Sequence, residues 1–242
     1  MFCFTSSHTY FYQSQQKLNL VILDYDVERI ESRSLTELQR AVSLGEGLKI
    51  EFKFKAKHPD KIVREMVAFA NTAGGMLFIG VDDHGGLSGV AFADEEEYVL
   101  VREIEKRISP KLVYSIERIK LPKEREVLVF HFAESQDKPH KVLEGDKQKV
   151  YVREADKTIQ ASKEVREILK GLKKNKSLRF AYGDKERMLM NYLAQHKTIT
   201  LNKFANLADI PPKQASRTLI LMVLTNVLNY KPMEEEDLFF LV

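Results

Sequence analysis

Six cations crowd into sixteen residues: Lys49, Lys53, Lys55, Lys57, Lys61 and Arg64 share residues 49–64 with only two acids, Glu51 and Asp60. Ammonium and guanidinium groups at this density do the chemistry of phosphate contact, in which counterions are released from a polyanion. A second concentration lies at residues 163–179, with seven Lys and Arg against two Glu; Lys173, Lys174 and Lys176 belong to it. Arg153 and Lys157 are candidates to extend the patch. The chain of 242 residues carries 38 Lys and Arg against 35 Asp and Glu, a net charge of +3. A polyanion-binding surface therefore has to be a local patch. If four to six of these cations met duplex phosphates, log K would fall with log salt at a slope of about −4 to −5.

Other chemistries are argued against. A lone cysteine, Cys3, supports neither a disulfide framework nor a multi-cysteine zinc site, and it points to a reducing, cytoplasmic compartment. His8, His58, His84, His131, His140 and His196 show no HxxxH or HxH spacing, so they read as structural or surface residues. No GxxxxGK[ST] is present, which excludes a P-loop by its own pattern. No run approaches the roughly 20 apolar residues of a membrane span, so no membrane partner is expected. Residues 1–16 lack Lys, Arg, Asp and Glu, and five of the first twelve are aromatic. Without a basic n-region they read as a tail, or as an arm that packs on another chain, rather than a signal peptide.

The elements that must position the cations follow from periodicity. A β-branched run predicts a strand over 18–26. Helical spacing of Leu35, Leu38 and Val42, with Ser34 as N-cap, predicts a helix over 35–44. Strict alternation over 50–56 predicts a strand with Ile50, Phe52, Phe54 and Ala56 inward and Glu51, Lys53 and Lys55 on a charged outer face. A helix over 61–71 follows, then a stop at 72–75 and a short central strand over 76–81. The Asp82–Gly86 stretch reads as a turn. A helix over 95–108, strands near 113–119, 127–132 and 150–153, and a helix over 161–172 complete the pattern. Interleaved strands and helices predict an α+β domain with a mixed sheet.

Beyond the basic connector, helices are predicted over 184–196, 200–207 and 212–225, the second capped by Thr200 and the third opened by Pro211 and Pro212. Two strands over 227–231 and 238–242 flank the acidic tip Glu234–Asp237. Three helices and a hairpin in about 60 residues form a winged helix-turn-helix. Its third helix would present Lys213, Gln214, Ser216 and Arg217, types that read base edges or phosphates. The acidic tip argues the other way, since phosphate repels it. A dimerisation module of the same shape is the alternative.

Several segments line up in one order: Glu46-Gly-Leu-Lys-Ile-Glu-Phe-Lys53, Ala68-Phe-Ala-Asn-Thr-Ala-Gly-Gly75, Phe78-Ile-Gly-Val-Asp-Asp83, Gly89, Pro110, Lys138-Pro-His140 and Tyr151-Val-Arg153. Together they closely resemble the Schlafen/AlbA-like DNA-binding domain family, AlbA_2, over about half the chain. Read on its own, the corner at 68–75 packs a helix on a sheet through small residues. Asn71 and Thr72 would bond the helix end, and the Gly74 and Gly75 amides offer a phosphate site. The resemblance also implies an RNase reading, because some Schlafen proteins use two glutamates five residues apart and an aspartate after the IGVD strand. Glu46, Glu51 and Asp83 match, with Asp82 the lesser choice for the aspartate. Convergence of the three on Mg²⁺ or Mn²⁺ requires a turn that Gly45 and Gly47 permit.

The division expected is an N-terminal arm or strand over 1–27, an AlbA_2-like domain over 28–165, a basic linker over 166–183 and a winged helix over 184–242. The function expected is that of a DNA-binding transcriptional regulator, cytoplasmic and homodimeric or larger, needing no cofactor. The alternatives are a metal-dependent endoribonuclease and a protein-interaction module.

Overall fold

The computed structural model describes residues 28–29, 32–173 and 182–242. The expected strand over 18–26 and the aromatic arm lie outside them, as do Lys174 and Lys176.

In chain order the first elements are β1 (Glu28–Arg29), α1 (Leu35–Val42), β2 (Ile50–Lys53), α2 (Pro59–Asn71), β3 (Gly75–Ile79), α3 (Ala93–Arg107), β4 (Ile108–Ser109), β5 (Ser115–Leu121) and β6 (Arg125–Phe132). Five of these strands form one sheet in the order β1-β5-β6-β3-β2. β1 with β5 and β2 with β3 are parallel; β5 with β6 and β3 with β6 are antiparallel. The sheet is mixed and the domain is α+β, as the interleaved pattern predicts.

Both faces of the sheet are covered, which is why β6 reads as a continuous apolar run: Val127, Leu128, Val129 and Phe130 are all fully buried. On one face α2 and α3 lay Ile62, Met66, Phe69, Leu100 and Ile104 over Leu77, Ile79, Leu128 and Phe130. On the other, Leu38 and Val42 of α1 meet Ile50, Phe52, Phe78, Val127 and Val129. α1 begins in a capping box, with Ser34 accepting from the Glu37 amide and Glu37 returning to the Ser34 amide.

Next come β7 (Lys141–Glu144), β8 (Lys147–Lys149), β9 (Tyr151–Glu154), β10 (Lys157–Gln160) and α4 (Lys163–Lys173). The helix expected over 161–172 is α4, and its buried face extends into residues 166–173, the start of the expected linker. Val165 and Leu169 pack on Val150, Val152 and Ile159 of the β9–β10 hairpin, while Ile168 joins the C-terminal core.

That core is built by α5 (Asp184–Gln195), α6 (Leu201–Leu207), α7 (Pro212–Leu224), β11 (Leu228–Lys231) and β12 (Leu238–Leu241). Leu189, Phe204, Ala215, Leu219, Met222 and Phe239 are its centre. The acidic tip between β11 and β12 is partly turned inward. Asp237 is 7% exposed and accepts from the Ser162 hydroxyl and the Met233 amide, and Glu236 accepts from the Asn202 amide at 2.9 Å.

Candidate nucleic-acid interface

The stretch around β2 departs from the sequence expectation at two places. First, the face of β2 expected to be a charged outer one is covered. Glu51 is 7% exposed, under α2 and beside β9. Its Oε2 accepts from Arg153 Nη1 at 2.8 Å, and its Oε1 pairs with Lys53. Lys53 also reaches Glu65 Oε1 at 3.3 Å. Burial, and then the Glu51 charge, push the Glu65 carboxyl up from its usual 4.5 to about 7. Second, β2 ends at Lys53, so the alternation breaks there, and Phe54 is turned out with 46% of its surface exposed.

Arg153 is the anchor of this cluster. Its Nη2 donates to the Gly47 carbonyl at 2.7 Å, its backbone amide donates to Thr72 Oγ1 at 2.9 Å, and its guanidinium lies 4.8 Å from the centre of the Phe69 ring. With 2% of its surface exposed, Arg153 is unavailable to phosphate, which corrects its assignment to the patch. The reason is geometric: β9 runs beside α2 and aims Arg153 inward at the Glu51 carboxylate.

The 68–75 corner serves the same interior. Asn71, expected to bond the end of its own helix, bonds other segments instead. Its Nδ2 donates to the carbonyls of His140 and Tyr151, both at 2.9 Å, and its Oδ1 accepts from the His140 amide at 2.7 Å. One amide thereby ties together three separated motif segments. The Gly74 amide is occupied by the Phe69 carbonyl at 2.9 Å. A Cβ on Gly75 would lie 2.3 Å from the Phe69 ring. The glycines permit close packing here, and the phosphate reading of the corner loses the Gly74 donor. His140 is the fixed corner expected of it: Nδ1 lies 3.0 Å from the Pro110 carbonyl and Nε2 lies 2.7 Å from Ser135 Oγ.

The carboxylates matched to the RNase pattern do not gather. Glu46 is exposed and accepts from the Phe52 amide at 2.9 Å, folding over the outer edge of β2. Glu51 is engaged by Arg153 and Lys53, and Asp83 sits exposed in the turn that Asp82 organises through the His84 and Gly86 amides. Among the described residues, no group of three or more His, Cys, Asp or Glu is placed to hold a metal ion. Glu46, Glu51 and Asp83 therefore do not fit Mg²⁺ or Mn²⁺ as arranged. This corrects their assignment as catalytic and metal residues.

The cations divide into bound and free. Arg64 pairs with Glu144 at 2.9 Å and lies over the Tyr151 ring; Lys173 pairs with Asp137 at 3.0 Å. Lys49, Lys55, Lys57 and Lys61 are exposed, and none enters an ion pair among the described residues. They run along one continuous piece: the approach to β2, the loop after it and the first turn of α2. On α7, Lys213, Gln214 and Arg217 are exposed, whereas Ser216 is 5% exposed and donates to Glu164 of α4 at 2.5 Å. Ser216 is therefore withdrawn from the exposed face.

Several buried charges escape the sequence reading. Glu97, fully buried, takes Arg29 and Arg118 at 2.6 Å each; Glu117, 1% exposed, takes Arg33 at 2.9 Å and His131 at 3.0 Å. Glu97 shares the inward phase of Ala93, Leu100 and Ile104 on α3, so helical spacing was a signal for it. Glu117 carried none.

The class these features define is a mixed-sheet α+β domain, locked by a buried Glu51–Arg153 pair, with unpaired lysines among the described residues on the approach to β2, the loop after it and the start of α2. Residues 46–162, a little under half of the chain, match the family model described as Schlafen, AlbA_2. Solved structures with some likeness include the N-terminal domain of a RecG-related protein from Nitrosomonas europaea. It is 22% identical with a TM-score of 0.40, over 50% of this chain and 88% of that one. Another is the DIP2311 protein from Corynebacterium diphtheriae, 20% identical with a TM-score of 0.37, over 50% of this chain and 26% of that one. A search of curated proteins found no match. Among the described residues no helix is long and apolar enough to cross a membrane.

Proposed function

We propose that the protein binds nucleic acid and acts as a DNA-binding transcriptional regulator. Its AlbA_2 domain, within 28–165, supplies phosphate contacts. The segment 184–242 serves as a winged helix that docks α7 on a duplex. The observation that carries this reading is the set of exposed lysines without ion-pair partners among the described residues, Lys49, Lys55, Lys57 and Lys61, inside the family-matched region. The ion pairs of Lys53, Arg64 and Lys173 leave these four, with Lys157, Lys213, Gln214 and Arg217, as the contact set among the described residues.

Inward turning of Asp237 and Glu236 also weakens the objection from the acidic tip, because only Glu234 and Glu235 are left to face a phosphate backbone. A homodimer belongs to the same reading, since one such unit per chain reads one half-site; light scattering of the purified protein tests it. The binding itself is tested by fluorescence anisotropy of a labelled DNA duplex across a salt series. A slope of about −4 in log K against log salt supports the reading, since four to six neutralised phosphates give about −4 to −5. Absence of salt-sensitive binding at low ionic strength removes it.

A further inference from the structure

Phe54 stands out among the exposed side chains. It is 46% exposed and belongs to none of the hydrophobic clusters of the fold. It is also flanked along the chain by Lys53, Lys55 and Lys57, with Lys61 one turn into α2. Of these, Lys55, Lys57 and Lys61 are exposed and free of ion pairs among the described residues.

The backbone that carries Phe54 is held at both ends. The Gly80 amide donates to the Lys53 carbonyl at 2.8 Å, and the Ala56 amide donates to Glu96 Oε2 at 2.6 Å. The ring is thus presented from a fixed base, which lowers the entropy lost when something packs on it. An apolar ring amid cations fits a ligand that is flat and π-rich on one side and anionic on the other. A second copy of this surface does not fit, because apposing two Phe54 rings would bring six free lysines together.

We propose that this segment binds single-stranded nucleic acid, with one base stacked on Phe54 and the flanking phosphates held by Lys55, Lys57 and Lys61. This rests on the nucleic-acid reading above and refines it: the bases of a closed duplex are already stacked, so their faces are open to Phe54 only where the strand is single. Stacking is tolerant of sequence, so this surface supplies affinity for an open strand, while α7 is left to read the duplex.

The chain contains no Trp, so Phe54→Trp in the full-length protein supplies a sole indole reporter at the site. It is titrated with oligo-dT, with oligo-rU and with an abasic oligodeoxynucleotide of equal length. The expected result is emission quenched by dT or rU and left unchanged by the abasic strand, which keeps the phosphates but offers no ring. The tighter of the two quenching strands names the sugar. Phe54→Ala and Phe54→Leu are both expected to bind oligo-dT about tenfold more weakly than the parent, the size of one base–aromatic stack. Unchanged emission with lysine-dependent strand binding, or equal affinity of Phe54→Ala, overturns stacking and leaves phosphate binding standing. If neither strands nor duplex bind with salt sensitivity, the nucleic-acid reading itself has failed.

Discussion

Arg153 Nη1 lies 2.8 Å from Glu51 Oε2, with the two side chains 1% and 9% exposed. The pair joins residues 102 positions apart and sets β9 against β2. Removing one partner of such a pair leaves a buried charge with a weakened counterion, which costs about 3–5 kcal/mol when nothing else compensates. Lys53 compensates in part here. Arg153→Met is expected to lower stability by about 3 kcal/mol, and Glu51→Leu combined with Arg153→Met to recover much of the loss. Urea denaturation of the three proteins gives the values. Below the unfolding transition, Arg153→Met is expected to bind DNA with wild-type salt dependence, because Arg153 has no face toward solvent.

Asn71 makes a second test of interior architecture. Asn71→Ala leaves the His140 amide and the His140 and Tyr151 carbonyls without their partner. Each unsatisfied buried group costs about 1–3 kcal/mol, so a net loss near 3 kcal/mol is expected once the site relaxes. The urea midpoint should fall while the m-value holds.

A pH dependence follows from Glu65. Its carboxyl titrates at about 7 in the folded protein against the usual 4.5. The folded state therefore binds more protons than the unfolded one between these values, and stability falls as pH rises from about 4.5 to 7 through this group. Burial holds His131 and His140 below their usual values, and they act in the opposite direction at the acid side. Comparison with Glu65→Gln isolates the carboxyl: the variant is expected to be the more stable of the two above pH 7 and to lose that advantage toward pH 5. Thermal melts across this range check the sign.

The division of cations into bound and free predicts unequal salt effects. Lys55→Gln and Lys61→Gln are each expected to reduce the magnitude of the salt slope for duplex DNA by about 1, the value of one phosphate contact. Arg64→Gln and Lys173→Gln, whose charges already face Glu144 and Asp137, are expected to leave it unchanged. Anisotropy titrations at four salt concentrations separate the two outcomes.

The helices and the strands β2, β3, β5, β6 and β9 were legible because periodicity is local: α2, β6 and α7 announce themselves by which residues must be buried together, whereas the short strands β4, β7, β8 and β10 were not expected. Chain punctuation was equally legible, from the Ser34 and Thr200 caps to Pro212 at the start of α7. What escaped were contacts between distant segments. Nothing near Glu51 shows that Arg153 will reach it, and nothing near Asn71 shows that it will hold the His140 backbone and β9. Phe54 was misplaced because alternation was carried to residue 56, three residues past the last pairing of β2, Lys53 with Ile79. The candidate site was thus half readable. The cations were visible as a run, but which of them are neutralised at home depended on neighbours far along the chain.

α4 gives side chains to two cores, with Val165 and Leu169 in one and Ile168 in the other, and Glu164 bonded to Ser216 of α7. Severing the chain near residue 166 would strip a wall from both rooms at once. The C-terminal unit should accordingly misbehave when expressed from residue 184 alone, and behave when α4 travels with it. A force on α7 would be felt through Glu164 and α4 at the β9–β10 hairpin, and so at the strand that carries Arg153.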